Sequence, residues 1–161
     1  MSCHVGSKFG RWLFATDAMG QNDVDFGGYG IVATTLEDGE IASLLQQGEA
    51  PGLTVARLDT VGGARHPEKM LKPTVPFSML PQQLFDEPRW KEVERGRWKH
   101  GDHITIGESR TVVRLLRRVG AWPQLHGQTF FTLQDNRPTA CSMAKGRSPS
   151  YQLNRVLRQK A

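Results

Sequence analysis

Three acidic residues stand where the chain could do chemistry: Asp17, Glu108 and Asp135. Thr129-Phe-Phe-Thr-Leu-Gln134 is rich in strand formers and runs straight into Asp135. Arg11-Trp-Leu-Phe-Ala-Thr16 has the same design and runs into Asp17. Two strands that finish in aspartate, laid side by side, bring two carboxylates together, and water supports that poorly unless a cation lies between them. Asp135 also has an ordinary reading, as a cap for the helix that follows it. Carboxylates with oxygen-only ligation suit Mg²⁺ or Mn²⁺. Two such ions about 4 Å apart can activate a water and stabilise the leaving oxygen in phosphodiester cleavage.

The elements around these acids are legible to different degrees. The spacing predicts a helix over Glu108–Val119, led in by Thr105 and Gly107 and closed by Gly120. Val112, Leu115, Leu116 and Val119 form its apolar stripe, and Glu108 lies on that side because 108, 112, 115 and 119 step by four, three and four. Arg110, Arg114, Arg117 and Arg118 take the outer side. A carboxylate beside an apolar stripe is costly without a partner; the alternative is a favourable place near the helix N-terminus. After Asp135, Asn136 is an N-cap, Pro138 suits a first turn, and Gly146 stops a helix over Asn136–Lys145. Ser148 and Pro149 open a last helix, Pro149–Gln159, with Leu153, Val156 and Leu157 inside and Arg147, Arg155, Arg158 and Lys160 outside.

The N-terminal half reads as a loose arm to Gly10, strand one, and a polar turn from Asp17 to Asp25. Asp23 and Asp25 in that turn are near enough in sequence to assist a cation, or simply to solvate the turn. Phe26–Thr35 is a second strand antiparallel to the first, its glycines allowing a bulge or close packing. A turn at Glu37–Glu40 precedes Ile41–Leu45, which fits a strand or a short helix equally. Residues 48–97 read as an insertion against one edge of the core, with a strand at Leu53–Leu58, helices at Ser78–Phe85 and Asp86–Arg95, and Trp90 and Trp98 as packing anchors. The fold class expected is α/β: a mixed sheet, strands one and two antiparallel, strand one parallel to the Asp135 strand, helices on its flanks, all in a single domain of 161 residues.

Composition narrows the partners. Residues 1–109 carry 11 Lys+Arg against 15 Asp+Glu, a balance of −4; residues 110–161 carry 10 Lys+Arg and the one acid Asp135, a balance of +9; the two recover the net +5. A basic C-terminal third around a lone aspartate suits a polyanion, nucleic acid first, though a solvated basic surface has the same composition. No apolar run approaches the roughly 20 residues of a membrane span, and Met1–Gly10 lacks the apolar segment of a secretion signal. Cys3 and Cys141 offer no disulfide framework. An intracellular place, cytoplasmic or nuclear, is expected. Several familiar signals lead nowhere. His100 and His103 have no cysteine near them for zinc, and Ser148 and Ser150 have no histidine beside them. Gly27-Gly28-Tyr29-Gly30 lacks the spacing and the following helix of a phosphate loop, and Cys141 is read as packing.

Ala15-Thr-Asp17-Ala-Met-Gly20, His103-Ile-Thr-Ile-Gly-Glu108, Leu133-Gln-Asp135-Asn136 and Ala144-Lys-Gly-Arg-Ser-Pro-Ser-Tyr-Gln-Leu-Asn154 together resemble the RNase H-like family, in particular the ribonuclease H domains of retrotransposon polyproteins that accompany a reverse transcriptase. The likeness covers roughly 11–35 and 98–161. It implies Asp17 bridging two metal ions, with Glu108 and Asp135 completing one of the sites. It also implies cleavage of the RNA strand of an RNA/DNA hybrid, and a polymerase domain of the same polyprotein as a partner. Asn136, Arg147 and Asn154, with the outward Arg155, would touch the nucleic acid. The family places a fourth carboxylate on a strand after the last helix, and no acid follows Asp135 here. The chain is therefore expected to be a fragment or a decayed copy. Three functions follow: a hybrid-specific nuclease, a silent nucleic-acid-binding module of the same fold, or an interaction domain using Trp90 and Trp98.

Overall fold

The computed structural model describes residues 8–20, 25–47 and 80–160. Among the described residues, four strands form one sheet: β1 (Lys8–Met19), β2 (Gly28–Thr35), β3 (Lys91–Arg97) and β4 (Gln128–Leu133), in the order β3-β2-β1-β4. β1 runs antiparallel to β2 and parallel to β4, and β2 runs antiparallel to β3. The described helices that flank it are α1 (Asp38–Gln47), α2 (Ile104–Gly120), α3 (Arg137–Lys145) and α4 (Tyr151–Leu157). This is the α/β mixed sheet that the residues predict, and it is consistent with an RNase H-like fold.

The middle of β1 is buried on both faces, because alternate side chains there serve two cores. Phe14 packs with Ile31, Ala33, Leu115 and Val119 under α2. Leu13 packs with Leu36, Leu44 and Leu84 on the α1 side. A third cluster, Ile106, Val113, Leu153, Val156 and Leu157, ties α4 to α2. The inward Leu153, Val156 and Leu157 are as expected, and so is the Gly146 stop, whose φ of 69° is the left-handed conformation glycine adopts freely.

Tertiary pairing moves several expected boundaries. β1 is longer than its apolar run: pairing with β4 reaches back to Lys8↔Gln128, so Lys8–Gly10 are strand rather than a loose arm. Pairing with β2 reaches Met19↔Gly28, so Asp17 lies within the strand rather than in a turn after it. Residues 1–7, Asp23, and the strand expected at 53–58 lie outside the described residues. Glu37–Glu40 is the start of α1 rather than a turn: the Glu40 carboxylate accepts the Glu37 amide at 2.9 Å, and apolar packing of Leu44 decides for helix over strand at Ile41–Leu45. Of the helix expected at Ser78–Phe85, the described part, from Leu80 on, holds a 3₁₀ turn, Gln82–Phe85. The helix expected at Asp86–Arg95 is a second 3₁₀ turn, Glu87–Arg89, followed by β3. Lys91-Glu-Val-Glu-Arg has weak strand propensity, but it completes the hydrogen bonds of β2 and its charges suit an exposed edge. α2 begins at Ile104, a turn early, capped by His103 Nδ1 on the Thr105 amide. α4 begins at Tyr151 with Ser150 as cap; Ser148, the expected cap, instead accepts the Ser150 amide.

Arg89 gathers the α1 side. Its guanidinium donates to both Glu40 oxygens, at 2.7 and 2.9 Å, to the Thr35 carbonyl at 3.0 Å and to the Gln83 carbonyl at 2.9 Å. The hydrogen bond from Arg89 holds the Glu40 carboxyl below its ordinary value of 4.5. A carboxyl depressed in the folded state stabilises above its unfolded value and loses that contribution as pH falls through the folded one. Arg89→Ala is expected to cost about 1.5–3 kcal/mol at neutral pH, the range for hydrogen bonds to charged groups. Thermal melts should show the gap to wild type narrowing below about pH 4.5; a gap independent of pH would contradict the role given to Glu40.

Candidate metal centre

The pairing of β1 with β4 ends at Ala15↔Leu133, while β1 continues alongside β2 to Met19. The sheet therefore opens between the two parallel strands at their C-terminal ends, the edge where ligands of α/β sheets collect. Asp17 borders this opening from β1. Asp135 borders it from the segment just past β4, where Asn136 Oδ1 caps α3 by accepting the Thr139 amide at 3.0 Å. The cap is Asn136, so Asp135 is not needed for it. Thr139 is fully buried and its hydroxyl lies 3.3 Å from that of Ser109, tying the start of α3 to α2.

Glu108 enters from α2. The earlier start of that helix puts Glu108 in its second turn, away from the amides that a capping acid would serve. It is 3 % exposed. Its Oε1 accepts the Ala18 amide at 3.2 Å and its Oε2 accepts from Gln134 Nε2 at 2.7 Å. Gln134 Oε1 in turn accepts from the Thr16 hydroxyl at 2.6 Å. One ligand oxygen from each of Asp17, Glu108 and Asp135 lies within 4.8 Å of the others. The three expected acids are brought together.

Burial, foremost, pushes the Glu108 carboxyl above its ordinary value; the hydrogen bonds from Gln134 and Ala18 oppose this, and the charges of Asp17 and Asp135 add to it. Three carboxylates, with no histidine or cysteine grouped with them among the described residues, are a hard-cation set, and the cluster could hold a metal ion. A cation would offset both the desolvation and the mutual repulsion.

Gln134 and Thr16 belong to this site and were not singled out from sequence. The signal was present: Gln134 is the polar residue ending an apolar strand, immediately before Asp135. The other described candidates lie outside this cluster. Asp25 accepts the Gly27 amide at 3.2 Å and lies 3.7 Å from Arg97. Asn154 is engaged with Ser148, accepting its amide at 2.7 Å and donating to its carbonyl, so it braces the turn before α4. Arg147 and Arg155 are exposed on that turn and on α4. Trp90 is half-buried and donates to the Leu84 carbonyl at 2.8 Å; Trp98 is half-buried against Tyr29, ring centroids 4.7 Å apart. Comparison with protein-family models, with curated proteins and with solved structures finds no match for this chain. No described helix is long and apolar enough to cross a membrane.

Without metal, a proton on Glu108 stabilises the fold below its unfolded value, and that contribution is lost as pH rises through the raised folded value. Glu108→Gln is expected to melt higher than wild type at neutral pH in chelator, because flipping the Gln134 amide keeps every hydrogen bond of the pair satisfied. Mn²⁺ should raise the Tm of wild type by mass action and leave this variant unmoved. A variant stabilised by Mn²⁺ as much as wild type would remove Glu108 from the site. Gln134→Ala should weaken Mn²⁺ binding by roughly 10–100-fold, as loss of an outer-shell partner does, read by titration calorimetry.

Proposed function

We propose that the chain is a metal-dependent endonuclease of ribonuclease H type, retroelement-derived, that cuts the RNA strand of RNA/DNA hybrids. The observation that carries this reading is the convergence of Asp17, Glu108 and Asp135 at the opening between β1 and β4. The fold supports it, and so does the basic C-terminal third, which suits a polyanionic substrate.

Mg²⁺ or Mn²⁺ held by the three acids would supply activation of a water and charge stabilisation on the leaving oxygen. The protein's own groups do the rest. Glu108 is fixed in orientation by the Ala18 amide and Gln134, so it needs little reorganisation on binding. Asp17 and Asp135 are exposed, so a cation held by the three acids would be open to a substrate phosphate. Arg147 and Arg155, with Asn136, offer donors on the α3–α4 side for backbone phosphates, and Asn154 contributes by bracing that turn. A polymerase domain of the same polyprotein is the natural source of the hybrid.

One observation favours a second reading, a binding module without turnover: no acid follows Asp135 in this sequence, and the cluster among the described residues has three carboxylates where the resemblance implies four. The two separate on incubation with a labelled RNA/DNA hybrid in Mn²⁺. The nuclease reading expects cleavage of the RNA strand alone, reduced more than about 100-fold by Asp135→Asn, beyond the loss of an outer-shell partner. Tight binding with an intact RNA strand at high protein concentration would select the binding module instead.

A further inference from the structure

On the face of the sheet that carries Asp17, the strand registers line up a row of three residues: Asp17 on β1, Gly30 on β2 and Arg95 on β3. The next row is Met19, Gly28 and Arg97. The space above is a groove of about 760 Å³ that Asp17, Gly30, Arg95 and Arg97 line together.

Glycine is unfavourable inside a strand, where it contributes no packing, and it often marks close approach by a ligand or another backbone. Two other glycines here answer to the protein's own packing. A Cβ on Gly28 would stand 2.8 Å from the Gly96 carbonyl oxygen, and one on Gly96 would stand 2.7 Å from the Tyr29 hydroxyl. Gly30 has no such reason: among the described residues a Cβ there would meet nothing within 4 Å. A β-branched residue would fit and strengthen the strand. The bare shelf lies directly beside a candidate metal ligand and leads to two arginines. Arg95 and Arg97 are 79 % and 86 % exposed, and their ion pairs, 3.5 Å to Glu92 and 3.7 Å to Asp25, are long and solvated, hence weak.

We infer that this shelf seats the nucleic-acid strand. The backbone held at Asp17 crosses the sheet over Gly30, where the lack of a side chain lets a sugar ring lie close, and its neighbouring phosphates meet Arg95 and Arg97. Two strand spacings separate Asp17 from Arg95, about 10 Å, a span that the long arginine side chain shortens. This inference rests on the hybrid-nuclease reading and adds the path of the strand on the side opposite Arg147 and Arg155.

The test measures binding of a fluorescein-labelled RNA/DNA hybrid by anisotropy over a salt series, in Ca²⁺ so that a hard divalent cation is present at the acids, with thermal melts to follow folding. Gly30→Val is expected to melt at or above wild type and to bind at least about tenfold more weakly, a change of about 1.4 kcal/mol. The double variant Arg95→Ala/Arg97→Ala should lose about 1–2 from the slope of log K against log salt, about one per phosphate contact. The charge-matched Arg117→Ala/Arg118→Ala on α2 should lose less. Wild-type binding by Gly30→Val with its fold intact, or equal losses in the two double variants, would overturn the shelf. If those shelf variants also cleave the hybrid in Mn²⁺ as wild type does, the nuclease reading stands without it. A wild-type chain that neither binds nor cleaves the hybrid would overturn both.

Discussion

A buried carboxylate in the gap between two parallel strands is the constraint around which this molecule is built. Glu108 sits where β4 has left β1, and there it accepts the Ala18 amide of β1 and the side chain of Gln134, which follows β4. An acid so placed is costly unless every lone pair has use. The two donors come from the two sides of the opening, so satisfying Glu108 also fixes how α2 lies across the sheet. The site and the fold share one set of hydrogen bonds.

The surroundings temper the charge without removing it. Gln134 and the Ala18 amide are neutral donors, so they orient Glu108 while leaving its charge uncancelled for a cation. Asp17 and Asp135 remain exposed, where water screens them. Asp135 is steadied through its neighbour: Asn136 caps α3, and the buried Thr139 and Ser109 hydroxyls tie that helix to α2. The acids thus stand on a strand, a helix and a strand exit, each anchored separately, which is the rigidity a preorganised cation site needs.

The sequence was most legible where local chemistry and tertiary need agree. The β4 run into Asp135, the Asn136 cap, the Gly146 stop and the stripe of α2 combine strong local signals with matching packing, and the three acids could be named from them. It was least legible where pairing overrode propensity. Lys91–Arg97 has helix-compatible residues and becomes an edge strand because β2 offers unpaired backbone. Asp17 was expected after a strand because the apolar run stops at Ala15, yet the β2 ladder carries the strand on to Met19. His103 as a cap moved the start of α2 and with it the depth of Glu108. Gln134 is marked in sequence only as a polar residue ending an apolar strand; the approach of α2 gives it its partner, Glu108.

The most direct measurement is an anomalous difference map from crystals soaked in Mn²⁺, collected near the manganese edge. The expected result is density bounded by the carboxylates of Asp17, Glu108 and Asp135, with Gln134 still donating to Glu108. Manganese bound elsewhere, with these three side chains turned away from one another, would contradict the reading of this opening as a divalent-cation site.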